Sequence, residues 1–118
     1  DNVIGGGGGV SAILDLEAAW IGPMAFDIAM SCVGFGWDGT VPVWSRWKAL
    51  FDGYQSVRKL SQKEVDCLPF LHQFATLCIA SWRFWKHNLR EPDEILSNRY
   101  VEMVDRLSVE IDFSEVLG

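Results

Sequence analysis

An unbroken apolar run, Val10-Ser11-Ala12-Ile13-Leu14, ends in two acids one residue apart, Asp15 and Glu17, and this constrains the chain more than any other feature. Branched and aliphatic side chains in succession suit a buried strand. A carboxylate at the exit of such a strand costs free energy unless a cation or a donor meets it. A divalent metal carrying phosphates is one such partner for Asp15; a salt bridge or a helix cap is the other. Upstream, Asn2-Val3-Ile4 forms a second short apolar segment, and the five glycines Gly5 to Gly9 separate the two. Glycine accepts the positive φ values of a turn, so the expectation is a β-hairpin with a mobile glycine loop. The stretch lacks the Lys followed by Ser or Thr, and the spaced Gly-x-Gly-x-x-Gly, that a phosphate-cradling loop needs.

Downstream the periodicity changes from two to that of a helix. Pro23 suits a first helical position, and the helix it opens is expected to reach about Cys32, with Met24, Ile28, Ser31 and Cys32 on related faces and Asp27 as a hydrogen-bonded structural acid. Gly34 to Pro42 is rich in turn formers and carries Phe35 and Trp37, which either line a pocket or cover a core. From Val43 to Leu60, Trp44, Trp47, Leu50, Phe51, Tyr54 and Val57 recur at three and four, the stripe of a core-facing helix. Ser61-Gln62-Lys63-Glu64 reads as a capping box. Pro69 is expected to end that helix early and to start a fresh one running to about Asn88, which carries Leu71, Phe74, Ala75, Cys78, Trp82 and Trp85 as the central, most buried helix. Within it, Arg83 stands among three aromatics, placed to snorkel to the surface or to receive an anion. Pro92-Asp93-Glu94 begins a last helix with an apolar stripe to about Glu110, and the tail packs through Phe113 and Val116.

Charge and cysteine usage narrow the classes of partner. A net charge of −6 opposes binding to a nucleic-acid backbone, and no apolar run approaches the roughly 20 residues of a membrane span. Cys32, Cys67 and Cys78 are odd in number, without a Cys-x-x-Cys pair, and read as buried hydrophobes in a reducing, cytoplasmic compartment. His72 and His87 read as surface or core-edge residues rather than metal ligands.

Taken in order, Asp1-Asn2-Val3-Ile4, Asp15-Leu16-Glu17, Gly22-Pro23 and Phe26-Asp27-Ile28-Ala29 resemble the end of the catalytic segment in the aminoglycoside phosphotransferase and choline kinase superfamily. Leu60-Ser61, Leu68-Pro69 and Arg83-Phe84-Trp85 look most like its homoserine kinase members. The resemblance implies an α+β, mostly α fold, the C-terminal lobe of a protein-kinase-like phosphotransferase, with residues 1–17 as a hairpin carrying metal ligands and 23–118 as a helical subdomain. It implies Asn2 and Asp15 as ligands of Mg2+, ATP as co-substrate, Glu17 and Arg83 as groups facing the acceptor or supporting the site, and Asp27 as a brace of the catalytic loop. The catalytic base and the ATP-binding lobe would lie upstream of Asp1, so this piece alone is expected to be inactive. The acceptor would be a small hydroxyl compound such as homoserine, whose amino group suits acidic and aromatic residues and whose carboxylate suits Arg83. A degenerate kinase and a non-enzymatic helical binding module docking through Phe35 to Trp37 are the competing readings.

Overall fold

A computed structural model describes residues 2–117; Asp1 and Gly118, at the ends of the expected catalytic loop and tail, lie outside them. The fold is α+β and mostly α, a small hairpin followed by a helical bundle, as the sequence pattern implies. Strands β1 (Val3–Gly6) and β2 (Gly9–Ile13) pair antiparallel, with Val3 opposite Ile13 and Gly6 opposite Gly9. The register slips between Ile4 and Gly5, which leaves Ser11 as the extra residue of a bulge. Three of the five glycines therefore belong to the ladder, and the turn is only Gly7-Gly8, at φ 60° and 83°. Two positive φ values in a two-residue connection match the right-handed twist of the flanking strands, so a tight turn replaces the expected mobile loop.

The hairpin also departs from expectation in burial, because Val10 and Ile13 of β2 are about two-thirds exposed. Gly5, opposite Val10, offers no side chain to pack across, while Ile13 pairs with Val3. The core instead lies among the helices. Helix α1 (Ala25–Phe35) starts two residues after Pro23, whose carbonyl accepts the Phe26 N–H at 3.0 Å, and it runs three residues beyond Cys32. Its buried face is Ala25, Ile28, Ala29, Cys32 and Val33, while Met24 stays exposed. Burial pushes the Cys32 thiol up to about 12, keeping it a neutral, inert packing group. Cys67, by contrast, faces solvent and Cys78 is half-buried, so only one of the three cysteines is fully in the core.

Helix α2 (Trp44–Val57) buries Trp47 and Phe51 completely. Helix α3 (Gln62–Phe84) opens on the expected capping box, the Ser61 hydroxyl accepting from the Glu64 N–H and the Glu64 carboxylate accepting from the Ser61 N–H. Arg58 adds an ion pair to Glu64 at 2.7 Å and is the foremost reason that carboxyl lies down at about 2. Pro69 does not end α3, contrary to the sequence expectation. One N–H bond is lost there, but Leu68 on one side and His72 and Ala75 on the other are buried, and tertiary packing overrides a single local penalty. The helix continues into a π-helical turn, Trp85–Arg90. It is central but not enclosed: Phe70, Phe74, Leu77 and Trp82 stand about half exposed or more.

The expected last helix is shorter. Only α4 (Val101–Arg106) is α-helical, while residues 94–100 form successive turns and Ile95 is solvent-facing. The Asp93 carboxylate accepts from the Ile95 and Leu96 N–H groups at 2.8 and 3.1 Å, as a helix N-cap does, yet the segment that follows keeps to turns. After it, α5 (Phe113–Leu117) buries Phe113 and Val116 as expected.

Between α1 and α2 a two-rung ladder, β3 (Trp37–Asp38) with β4 (Val41–Pro42), turns at Gly39, φ 57°. Both readings of the aromatic loop hold: buried Trp37 covers the core, and with exposed Phe35 it also lines a surface groove of about 480 Å³ beside Arg46, Ala49 and Leu50. Trp37 lies parallel to the His72 ring at 5.9 Å, and Trp47 and Phe113 complete a box around that imidazole. His72 and His87 are both buried rather than at the surface or the core edge, His72 within that aromatic box and His87 against the Trp82 edge.

The His72 environment makes stability pH-dependent. Burial, and secondarily the Arg106 charge, lowers its pKa from 6.5 to about 4, so the folded protein binds fewer protons than the unfolded chain between those values. Stability is therefore full above pH 6.5 and falls as pH drops toward 4. From pH 7 to pH 5 urea denaturation should register a loss of about 2 kcal/mol, at ~1.4 kcal/mol per pKa unit, and His72→Phe should flatten that slope.

Candidate functional site

The hairpin returns the chain to its starting point. The Leu14 N–H donates to the Asn2 carbonyl at 2.8 Å, and one residue further the Asn2 carboxamide donates to an Asp15 carboxylate oxygen at 3.3 Å. Asn2 and Asp15, thirteen residues apart, are thereby brought together, both exposed. Asp15 sits at φ 66°, the left-handed region, which Asp tolerates better than most residues but which still stores strain. That backbone turns the chain sharply out of β2 and swings the carboxylate back toward Asn2 rather than along the strand.

After Asp15 a β-turn closes through the Ala19 N–H to the Leu16 carbonyl at 3.0 Å, with Glu17 at its centre, exposed and without a hydrogen-bond partner among the described residues. The segment then crosses to α1 and encloses a groove of about 660 Å³. Asp15 and Asp27 both line it, with Trp20, Phe26 and Met30 as apolar walls. Trp20 lies against Gly22, where a Cβ would clash with the indole, and meets the Phe26 edge at 6.2 Å. Asp27 is exposed, and its carboxylate makes no hydrogen bond among the described residues; the Ser31 hydroxyl bonds its backbone carbonyl instead.

Asn2 and Asp15 together present carboxamide and carboxylate oxygens to solvent, a donor set suited to a hard cation that keeps several waters or phosphate oxygens. Among the described residues no cluster of three or more His, Cys, Asp or Glu forms a metal cage. Magnesium usually needs only one or two protein ligands besides phosphates, so the pair fits that ion.

Arg83 lies elsewhere. Its guanidinium donates to the Arg99 carbonyl at 3.1 Å and meets the Glu102 carboxylate at 3.6 Å, so it neither snorkels nor lines the groove. Burial lowers its pKa, with Glu102 opposing. Glu102 is shared with Arg106, a buried side chain that sequence reading passed over. Arg106 donates from Nε to the Gly39 carbonyl at 2.8 Å and from Nη1 to the Val33 carbonyl at 3.0 Å, and its guanidinium stands 5.0 Å over Trp37. The Glu102–Arg106 spacing of four is visible in sequence as a helical ion pair, but its carbonyl partners lie 67 and 73 residues away.

No protein-family model matches the chain. Curated relatives do, and they are small-molecule kinases. The chain is 38% identical over 80 residues to a homoserine kinase of Agrobacterium fabrum, a match covering 65% of this chain and 24% of the relative. It is 42% identical over 74 residues to a homoserine kinase of Gluconacetobacter diazotrophicus, covering 60% and 22%. The chain thus spans about a quarter of the length of the relatives it matches.

Four substitutions separate the roles of Asp15 and Arg106. Glycine adopts φ 66° freely, so Asp15→Gly should leave stability within about 0.5 kcal/mol of the parent, whereas Asp15→Val should cost roughly 1–2 kcal/mol by thermal or urea unfolding. Arg106→Ala should cost roughly 3–5 kcal/mol, because it orphans buried carbonyls and Glu102. Arg106→Lys should recover little, lacking the planar fork.

Proposed function

We propose that this chain is the metal- and acceptor-binding part of a small-molecule kinase that moves the γ-phosphoryl group of ATP, with magnesium, to the hydroxyl of an amino acid such as homoserine. The observation that carries the reading is the meeting of Asn2 and Asp15 at the hairpin exit. The two homoserine kinase relatives support the substrate class.

In this reading Asn2 and Asp15 hold the metal, which when bound neutralises phosphate charge. Asn2, whose amide nitrogen here donates to Asp15, would offer its carboxamide oxygen to the ion. Glu17, on the next turn, faces the acceptor's ammonium or orients a ligand, and Asp27 braces the catalytic loop from across the groove. Arg83, held by Glu102 and the Arg99 carbonyl away from the groove, has no part in this reading. The base that takes the hydroxyl proton and the lobe that grips ATP belong to a longer parent protein. An aromatic strip, Trp20 to half-buried Phe26 to Phe74 to Phe70 with successive centroids 6.2, 5.8 and 6.4 Å apart and the other three rings exposed, is where such neighbouring structure would pack. Among the described residues no helix is long and apolar enough to cross a membrane. The three unbonded cysteines suit a reducing, cytoplasmic setting.

The test is coupled ADP release by the parent protein across homoserine, choline, ethanolamine, hydroxylysine and an aminoglycoside. Magnesium-dependent turnover on homoserine is expected, falling at least a hundredfold in Asp15→Gly, which deletes the carboxylate without straining the backbone; the 118-residue chain alone should release no ADP. Absence of turnover on every acceptor, with no ATP-dependent thermal shift, would favour a degenerate kinase.

A further inference from the structure

Away from the groove, a second cavity of about 450 Å³ opens between α3 and the segment joining α4 to α5. Its wall includes Arg106 and His72, each more than nine-tenths buried. The His72 Nε2 is buried and has no hydrogen-bond partner among the described residues. That atom is closed off from the cavity too, so the chemistry the cavity offers a ligand is that of Arg106, which suits an anion.

Charge points the same way. Arg83 and Arg106 share the single carboxylate of Glu102, leaving a surplus positive charge in a largely desolvated cluster. Arg106 commits three of its five N–H groups, to Gly39, Val33 and Glu102, so two are uncommitted among the described residues. Val109, Ile111 and Phe113 give the same cavity an apolar side. Glu110, exposed, stands at its rim.

We propose that this cavity is a binding site for a small carboxylate with a short apolar tail, separate from the groove at Asp15. The carboxylate is drawn to Arg106 and pairs with its free N–H groups, and the tail lies on Ile111 and Phe113 beside the His72 ring. An α-amino acid adds an ammonium for Glu110, while a hydroxy acid or plain acid does without it. The volume lies in the range of ordinary small-molecule sites. The site does not depend on the kinase reading, since none of its residues belongs to the Asn2–Asp15 arrangement.

The experiment is titration of the 118-residue chain at pH 7 with propionate and with its neutral isostere propionamide, followed by the His72 imidazole nitrogen resonances and by calorimetry. Saturable binding of propionate that shifts His72, at least tenfold tighter than propionamide, is expected. Ser108→Trp, which fills the mouth from an exposed position, should abolish it while leaving the melting temperature unchanged. L-valine binding more tightly than 2-hydroxyisovalerate, with the difference erased by Glu110→Gln, assigns amino acids as the class; equal binding assigns simple carboxylates. Equal affinity for propionamide, survival of binding in a folded Ser108→Trp, or no saturable binding by any of these acids overturns the proposal.

Discussion

The Arg106 guanidinium is the fastening on which the helical part depends. It joins the carbonyl of Val33 near the end of α1, the carbonyl of Gly39 in the turn of the short ladder, and Glu102 on its own helix, while covering Trp37. Those groups come from widely separated stretches, so a single side chain fixes where α4 lies against α1. A buried charge of this kind is stable only while each partner is present, which makes the cluster sensitive to loss of any member. Trp37, held beneath it, in turn stacks on His72, and Trp47 closes the box while its indole N–H donates to the Gly36 carbonyl at 2.7 Å. Gly36 must be glycine because a Cβ there would collide with that indole and with the Cys32 carbonyl.

Local signals in the sequence were reliable where they concern one turn of chain. The Ser61 capping box, the Trp47 and Phe51 stripe, and the burial of Phe113 and Val116 all follow from spacing alone. Signals that weigh a local penalty against distant packing were not. Pro69 continues a helix because neighbouring turns are buried, while residues 94–100 form turns although Asp93 caps the Ile95 and Leu96 N–H groups as it would at a helix start. The glycine run reads as a loop by composition, yet pairing places all but two of its residues in the ladder.

The candidate site shows the same division. Asn2 and Asp15 meet because a tight hairpin joins them, which order and spacing suggest. What spacing cannot convey is the left-handed backbone at Asp15, nor that Arg83, conspicuous among aromatics, is already engaged by Glu102 and the Arg99 carbonyl. Arg106 was illegible for a related reason: its partners are backbone carbonyls far along the chain, and these leave no mark in residue type.

The central claim is that Asn2 and Asp15 form one cation-binding point. Manganese, a paramagnetic substitute for magnesium, measures this directly through relaxation of nearby nuclei in the 118-residue chain, with Asp15→Gly as the control. The account predicts broadening centred on the Asn2 carboxamide and the Leu14 to Leu16 amides, absent in Asp15→Gly. Broadening centred elsewhere, or unchanged when the Asp15 carboxylate is removed, would contradict it.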